Sequence, residues 1–204
     1  MNPNFKLPLQ LSSFSSYFEL KARAEDIAVA WGYTLERQIL ELPQTTETLP
    51  WVPLLQQRLT SMLTLTDLTS EQARREVLIG PVLTEVALHL RARLEIEFPI
   101  EIADNLRGTL DYLLQTTHHL LVIEAKHADP TRGFMQLVAE LIALDKWTDL
   151  PEPKLYGIIS LGNTWQFALL DREAKQLRQD VNAYNIPRDL EIIVRAAIGI
   201  LQGP

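Results

Sequence analysis

The sequence predicts a mixed α/β sandwich, and three patterns carry that prediction. Ile96, Phe98, Ile100 and Ile102 alternate with Glu95, Glu97 and Glu101, which is the period of a half-covered strand. Residues 120–126 are apolar on both faces until Glu124, the mark of a central strand covered on two sides. Apolar residues at helical spacing flank these strands: Leu78, Val82, Val86 and Leu90 before them, and Phe134, Leu137, Val138, Leu141 and Leu144 after them. The resulting order, α-β-β-β-α-β-β-α, is an α+β mixed sheet and not a regular βαβ repeat.

Each element has its own local reason. Residues 13–30 read as a helix with a rough apolar stripe from Phe14, Tyr17, Phe18 and Ala22, ended by Gly32. Residues 33–42 suit a strand. Three prolines and three threonines in residues 43–53 read as a connection, and a short helix follows over 54–63. A long helix is expected from Glu71 to about Arg93. Thr69 and Ser70 offer caps, Glu71 suits the positive end of the helix dipole, and Pro81 should kink the helix. Strands are then expected over 94–102, 108–115 and 120–126, with Pro99 best tolerated near a sheet edge. A helix over 131–147 precedes a hairpin, 155–161 with 165–170, turned by Gly162-Asn163. Pro187 suits the first turn of a final helix carrying Ile192, Ile193, Ala196, Ala197 and Ile200.

Composition narrows the function. The 204 residues include 47% hydrophobic side chains, enough for a real core. The absence of cysteine excludes disulfides, thiolate zinc sites and cysteine nucleophiles. No apolar run approaches the length of a membrane span, and no signal-peptide pattern opens the chain, so a cytoplasmic protein is expected. The net charge of -7 is spread along the chain and argues against a simple nucleic-acid-coating protein.

The informative constellation is Asp111 on one strand and Glu124-Ala125-Lys126 ending the next. A tight hairpin through 116–119 would bring Asp111 near Glu124. Two carboxylates on adjacent strands form a hard oxygen site suited to Mg²⁺ or Mn²⁺. A lysine beside them can orient a water and offset charge on a phosphoryl oxygen, as metal-assisted phosphodiester hydrolysis needs. The plainer reading of Glu-x-Lys is a solvated strand face. Here Leu120 and Val122 share the face of Glu124, so charges ending that strand need a reason, and a structural Glu–Lys pair is the competing one.

Asp111-Tyr112, then Glu124-Ala125-Lys126, then a helix with Gln136, resembles the PD-(D/E)xK superfamily of restriction-endonuclease-like nucleases. Upstream, Ser70-Glu71 with Arg75, Ile79, Pro81 and Leu83 resembles the first helix of the nuclease domain in type I restriction motor subunits. Downstream, residues 156–159 with Gly162, Trp165 and Phe167 resemble the hairpin of the same relatives. The likeness covers residues 70–172. It implies an αβββαβ core over a nuclease domain of residues 70–204, with residues 1–69 as a mostly helical accessory region. It implies Asp111 and Glu124 as metal ligands with the Ala125 carbonyl, and Lys126 as the residue activating the attacking water. Glu71 would approach the metal, and Gln136 would support the lysine or the phosphate. The chain departs from the pattern at Leu110, where proline is common, and in residues 137–138, where Tyr-Ala often follows the glutamine. No helicase motifs follow.

The expected activity is therefore Mg²⁺- or Mn²⁺-dependent hydrolysis of DNA phosphodiesters. The alternative is a catalytically silent nuclease-fold module that binds protein or DNA. An acidic chain of this kind needs a basic rim, a homodimer groove or a partner protein to bring DNA in. Other candidates have plainer readings: Glu71 as a dipole partner, with Glu76 and Glu85 as rivals on its helix, and Gln136 as a surface residue. His118 and His119 sit in a turn without a partner at zinc spacing, and His127 follows Lys126. Arg107 and Arg132 read as surface arginines. Trp31, Trp51, Trp147 and Trp165 are too widely spaced for a base-stacking platform.

Overall fold

A computed structural model describes residues 5–8, 11–125 and 129–203. Its centre is an eight-stranded mixed sheet with helices on both faces, and the mixed α/β class is the one the sequence predicts. The strands are β1 (Thr34–Gln38), β2 (Arg93–Ala103), β3 (Leu106–Gln115), β4 (Leu120–Ala125), β5 (Lys154–Ser160), β6 (Thr164–Asp171), β7 (Gln176–Asp180) and β8 (Tyr184–Asn185). Their order is β1-β7-β6-β5-β4-β3-β2, with β8 on β6. β1 runs parallel to β7 and β4 parallel to β5; the other pairings are antiparallel.

Alternation along β4 divides the interior in two. Leu121, Ile123 and Ala125 enter one core, while Leu120 and Val122 enter the other. The first core is closed by α3 (Val52–Leu65), α5 (Gly80–Leu90) and α7 (Leu190–Gln202). The second is closed by α1 (Ser15–Phe18), α2 (Ala24–Ala30) and α6 (Pro130–Trp147). Every β4 side chain is buried, which explains a strand apolar on both faces.

Several expectations change in detail. Residues 13–30 are two short helices, because Arg23 is extended and its N–H donates to the Asp26 carboxylate, starting a new helix at Ala24. The long helix is interrupted at Pro81. α4 (Glu71–Arg74) passes into a π-helical turn over Arg75–Ile79, in which the Gly80 N–H reaches the Arg75 carbonyl, and α5 then starts with Pro81 in its first turn. The wider turn accommodates the proline ring where a regular helix would clash. The strand over 33–42 shortens to β1. Strands β7 and β8 were not expected; their short polar sequences carry no alternation that sequence periodicity could detect.

The β2–β3 ribbon also departs from simple alternation. Leu94 and Tyr112 border the first core, whereas Phe98 and Leu110 border the second. Leu110 and Tyr112 are two residues apart and would share a face in a flat strand. The change of side falls at Asp111 and at its neighbour across the ribbon, Glu97, which has φ 56°. Ile96, expected inward, is 58% exposed as a result.

Candidate functional site

The β3–β4 pairing ends at Tyr112 with Ile123, so Asp111 and Glu124 are the next residue of each strand beyond it. Asp111 Oδ2 accepts the Ala125 N–H at 2.8 Å, which ties the carboxylate to the end of β4. Glu124 is 0% exposed, at the last turn of the pleat before the strand ends. Its alternation with Leu120 and Val122 assigns it to the α6 side of the sheet.

Arg75, in the first position of the π-helical turn, approaches Asp111 from the other side. Its Nη1 lies 3.4 Å from Asp111 Oδ1 and its Nη2 lies 3.7 Å from Glu97. Its Nε donates to the Tyr112 hydroxyl at 3.4 Å, and the guanidinium carbon sits 5.1 Å from the centre of the Tyr112 ring. Burial by itself would favour the neutral form. The Tyr112 hydroxyl, Asp111 and Glu97 outweigh it and hold the Arg75 pKa above its ordinary value.

A cleft of about 1120 Å³ opens beside this pair. Glu71, Arg75 and Glu76 line one side of it and Ile96, Glu97 and Tyr112 another. Glu71 follows the cap made by Ser70, whose Oγ accepts the Ala73 N–H at 3.1 Å. Glu71 makes no ion pair or side-chain hydrogen bond among the described residues. Gln136 is 4% exposed, not a surface residue: its amide donates to Glu140 at 2.8 Å inside the second core. Lys126 and His127 lie outside the described residues.

The structure thus fastens Asp111 to the end of β4 at Ala125, next to the buried Glu124, sets Glu71 in the neighbouring cleft, and joins Gln136 to Glu140. Among the described residues, no group of three or more His, Asp and Glu side chains converges on one point. The donors present are two carboxylates and the Ala125 carbonyl. That set suits Mg²⁺ or Mn²⁺, which are commonly held by one or two carboxylates with water filling the remaining positions. His118 is exposed in a turn closed by the Thr116 N–H on the His119 carbonyl, as the turn reading expects. Asp129 caps the start of α6 by accepting the Arg132 N–H and also pairs with the Arg132 guanidinium, and Arg107 pairs with Glu101, both near the surface. Trp165 is fully buried, with its indole N–H on the Gly162 carbonyl.

Two residues were not singled out from the sequence as site members. Arg75 follows Glu71 by four positions, which places it on the same helical face. Glu140 is a charge within the apolar stretch 137–144 of α6 and lies one turn beyond Gln136. In both cases the readable signal is a charge where periodicity calls for an apolar or neutral side chain.

Compared with known proteins, the chain matches no family model and no curated protein.

Proposed function

We propose that this chain is a metal-dependent nuclease that hydrolyses DNA phosphodiester bonds. The observation that best supports the reading is Asp111 fastened to the Ala125 N–H at the end of a buried strand, one residue from the buried Glu124. Asp111, Glu124 and the Ala125 carbonyl would hold Mg²⁺ or Mn²⁺; when bound, such an ion makes water a stronger nucleophile and offsets charge on the phosphate. The Ala125 N–H fixes one Asp111 oxygen, and the other faces the Arg75 guanidinium at 3.4 Å. Lys126 orients the attacking water, Glu71 supplies a carboxylate on the cleft wall, and Gln136 supports the α6 side. The water oxygen bonds to phosphorus, the ester oxygen departs, and the proton of the water ends on that alcohol.

A second reading is a catalytically silent module that binds protein or DNA, and the charge of the cleft favours its protein-binding form. Glu71, Glu76, Glu85 and Glu97 line it against Arg58 and Arg75. The deciding experiment is cleavage of duplex, branched and single-stranded DNA with Mg²⁺ or Mn²⁺, using wild type, Glu124→Ala and Lys126→Ala. The nuclease reading expects metal-dependent cleavage that both variants lose. Absence of cleavage in wild type, together with absence of metal binding by calorimetry, would leave the binding module.

A further inference from the structure

We propose that Arg75 is the resident counter-ion of Asp111: it holds this carboxylate in the metal-free protein and competes with a divalent cation for it, thereby setting metal affinity. The inference rests on the metal-site reading above and adds a positioning residue to it. Three features support it. Arg75 is held by several partners, with Tyr112 beneath the guanidinium and Asp111 and Glu97 beside it. Its side chain is 19% exposed, so it is a fixed part of the cleft wall. Its two carboxylate contacts, 3.4 and 3.7 Å, are longer than the roughly 2.8 Å of a tight charge-assisted hydrogen bond.

That looseness separates a counter-ion from a lock. Asp111 divides its oxygens: Oδ2 takes the Ala125 N–H at 2.8 Å, while Oδ1 faces the guanidinium at a distance it can give up. The contrast within the molecule is Asp145, which Arg172 grips at 2.7 Å. Tyr112 keeps the Arg75 guanidinium beside the site without depending on Asp111. The π-helical turn gives this arrangement its backbone, since the Arg75 carbonyl receives the Gly80 N–H across the wider turn.

Removing the Arg75 charge should therefore tighten metal binding. A purely structural arginine predicts the opposite, because its loss would loosen Tyr112 and the β2–β3 ribbon. Manganese titration calorimetry on the full chain tests this with wild type, Arg75→Ala, Arg75→Lys and Asp111→Asn. The expected result is Mn²⁺ affinity raised about three- to tenfold in Arg75→Ala, nearly unchanged in Arg75→Lys and lost in Asp111→Asn. Unchanged or weaker binding by Arg75→Ala, with wild type binding normally, overturns the role of Arg75 and leaves the metal site standing. Absence of Mn²⁺ binding by both wild type and Arg75→Ala overturns the metal site and this inference together. Should Arg75→Ala fail to fold, Arg75→Gln takes its place. A measurement on wild type also decides the matter: the Arg75 Nε resonance should move as Mg²⁺ is added, and a stationary resonance in protein that binds Mg²⁺ rules the exchange out.

Discussion

Asp145, at the end of α6, is 8% exposed and accepts from the Tyr33 hydroxyl at 2.5 Å, Arg172 at 2.7 Å and Lys175 at 2.8 Å. Burial would raise its pKa, but Lys175, Tyr33 and Arg172 outweigh that and hold it below the usual carboxylate range. The same contact raises the Tyr33 phenol, where burial acts first and Asp145 adds to it. A lowered carboxyl pKa contributes stability above the unfolded value of about 3.9 and loses it as pH falls through the folded one. Asp145→Asn should cost about 3 kcal/mol at neutral pH, because Arg172 keeps its buried position with half its partner gone. Urea unfolding checks this: the gap between wild type and variant should narrow below about pH 4. Asp111 and Glu124 stood out in the sequence because they are carboxylates beside apolar strand positions. Arg75 and the Asp145 cluster were not, because their partners are distant in the chain and spacing reports only local neighbours.

Element by element, the long apolar patterns survived and the short polar ones did not. β3, β4, α6 and the β5–β6 hairpin fall close to their expected bounds, since each buries a regular stripe. β1, Thr-Leu-Glu-Arg-Gln, is shorter than the strand expected over 33–42, and β7, Gln-Leu-Arg-Gln-Asp, was not expected: it is held between β1 and β6, which no local pattern announces. Pro81 signalled an interruption, but whether a helix kinks or widens depends on what its side chains must reach. Gly199 in α7 offers a test of packing against propensity. A Cβ there would lie 2.6 Å from the Pro43 carbonyl oxygen, where the connection before α3 crosses the helix. Helix propensity alone expects Gly199→Ala to stabilise by up to about 1 kcal/mol. The collision with backbone should reverse the sign and destabilise by about 1–3 kcal/mol, read as a lower urea midpoint. Arg195 donates to the Thr45 and Glu47 carbonyls of the same connection, so it has little room to retreat.

For the whole molecule, the net charge of -7 means that a polyanion meets repulsion before it meets the cleft. No described helix is long and apolar enough to cross a membrane. Under the nuclease reading, DNA binding should be weak in chelator and stronger in Ca²⁺, and it should decline as salt rises from about 50 to 200 mM. Fluorescence anisotropy with a labelled duplex measures both trends; equal binding with and without Ca²⁺ would separate DNA contact from the metal site. The sheet also imposes an order of events on the growing chain. β1 is made early, yet its partner β7 lies far downstream, and the Leu40 N–H finds the Asp180 carboxylate across 140 residues. A ribosome must deliver the 140 residues between Leu40 and Asp180 before that margin can close. Until then an early strand has no mate, so closing this margin is the kind of long-range pairing that comes late in folding.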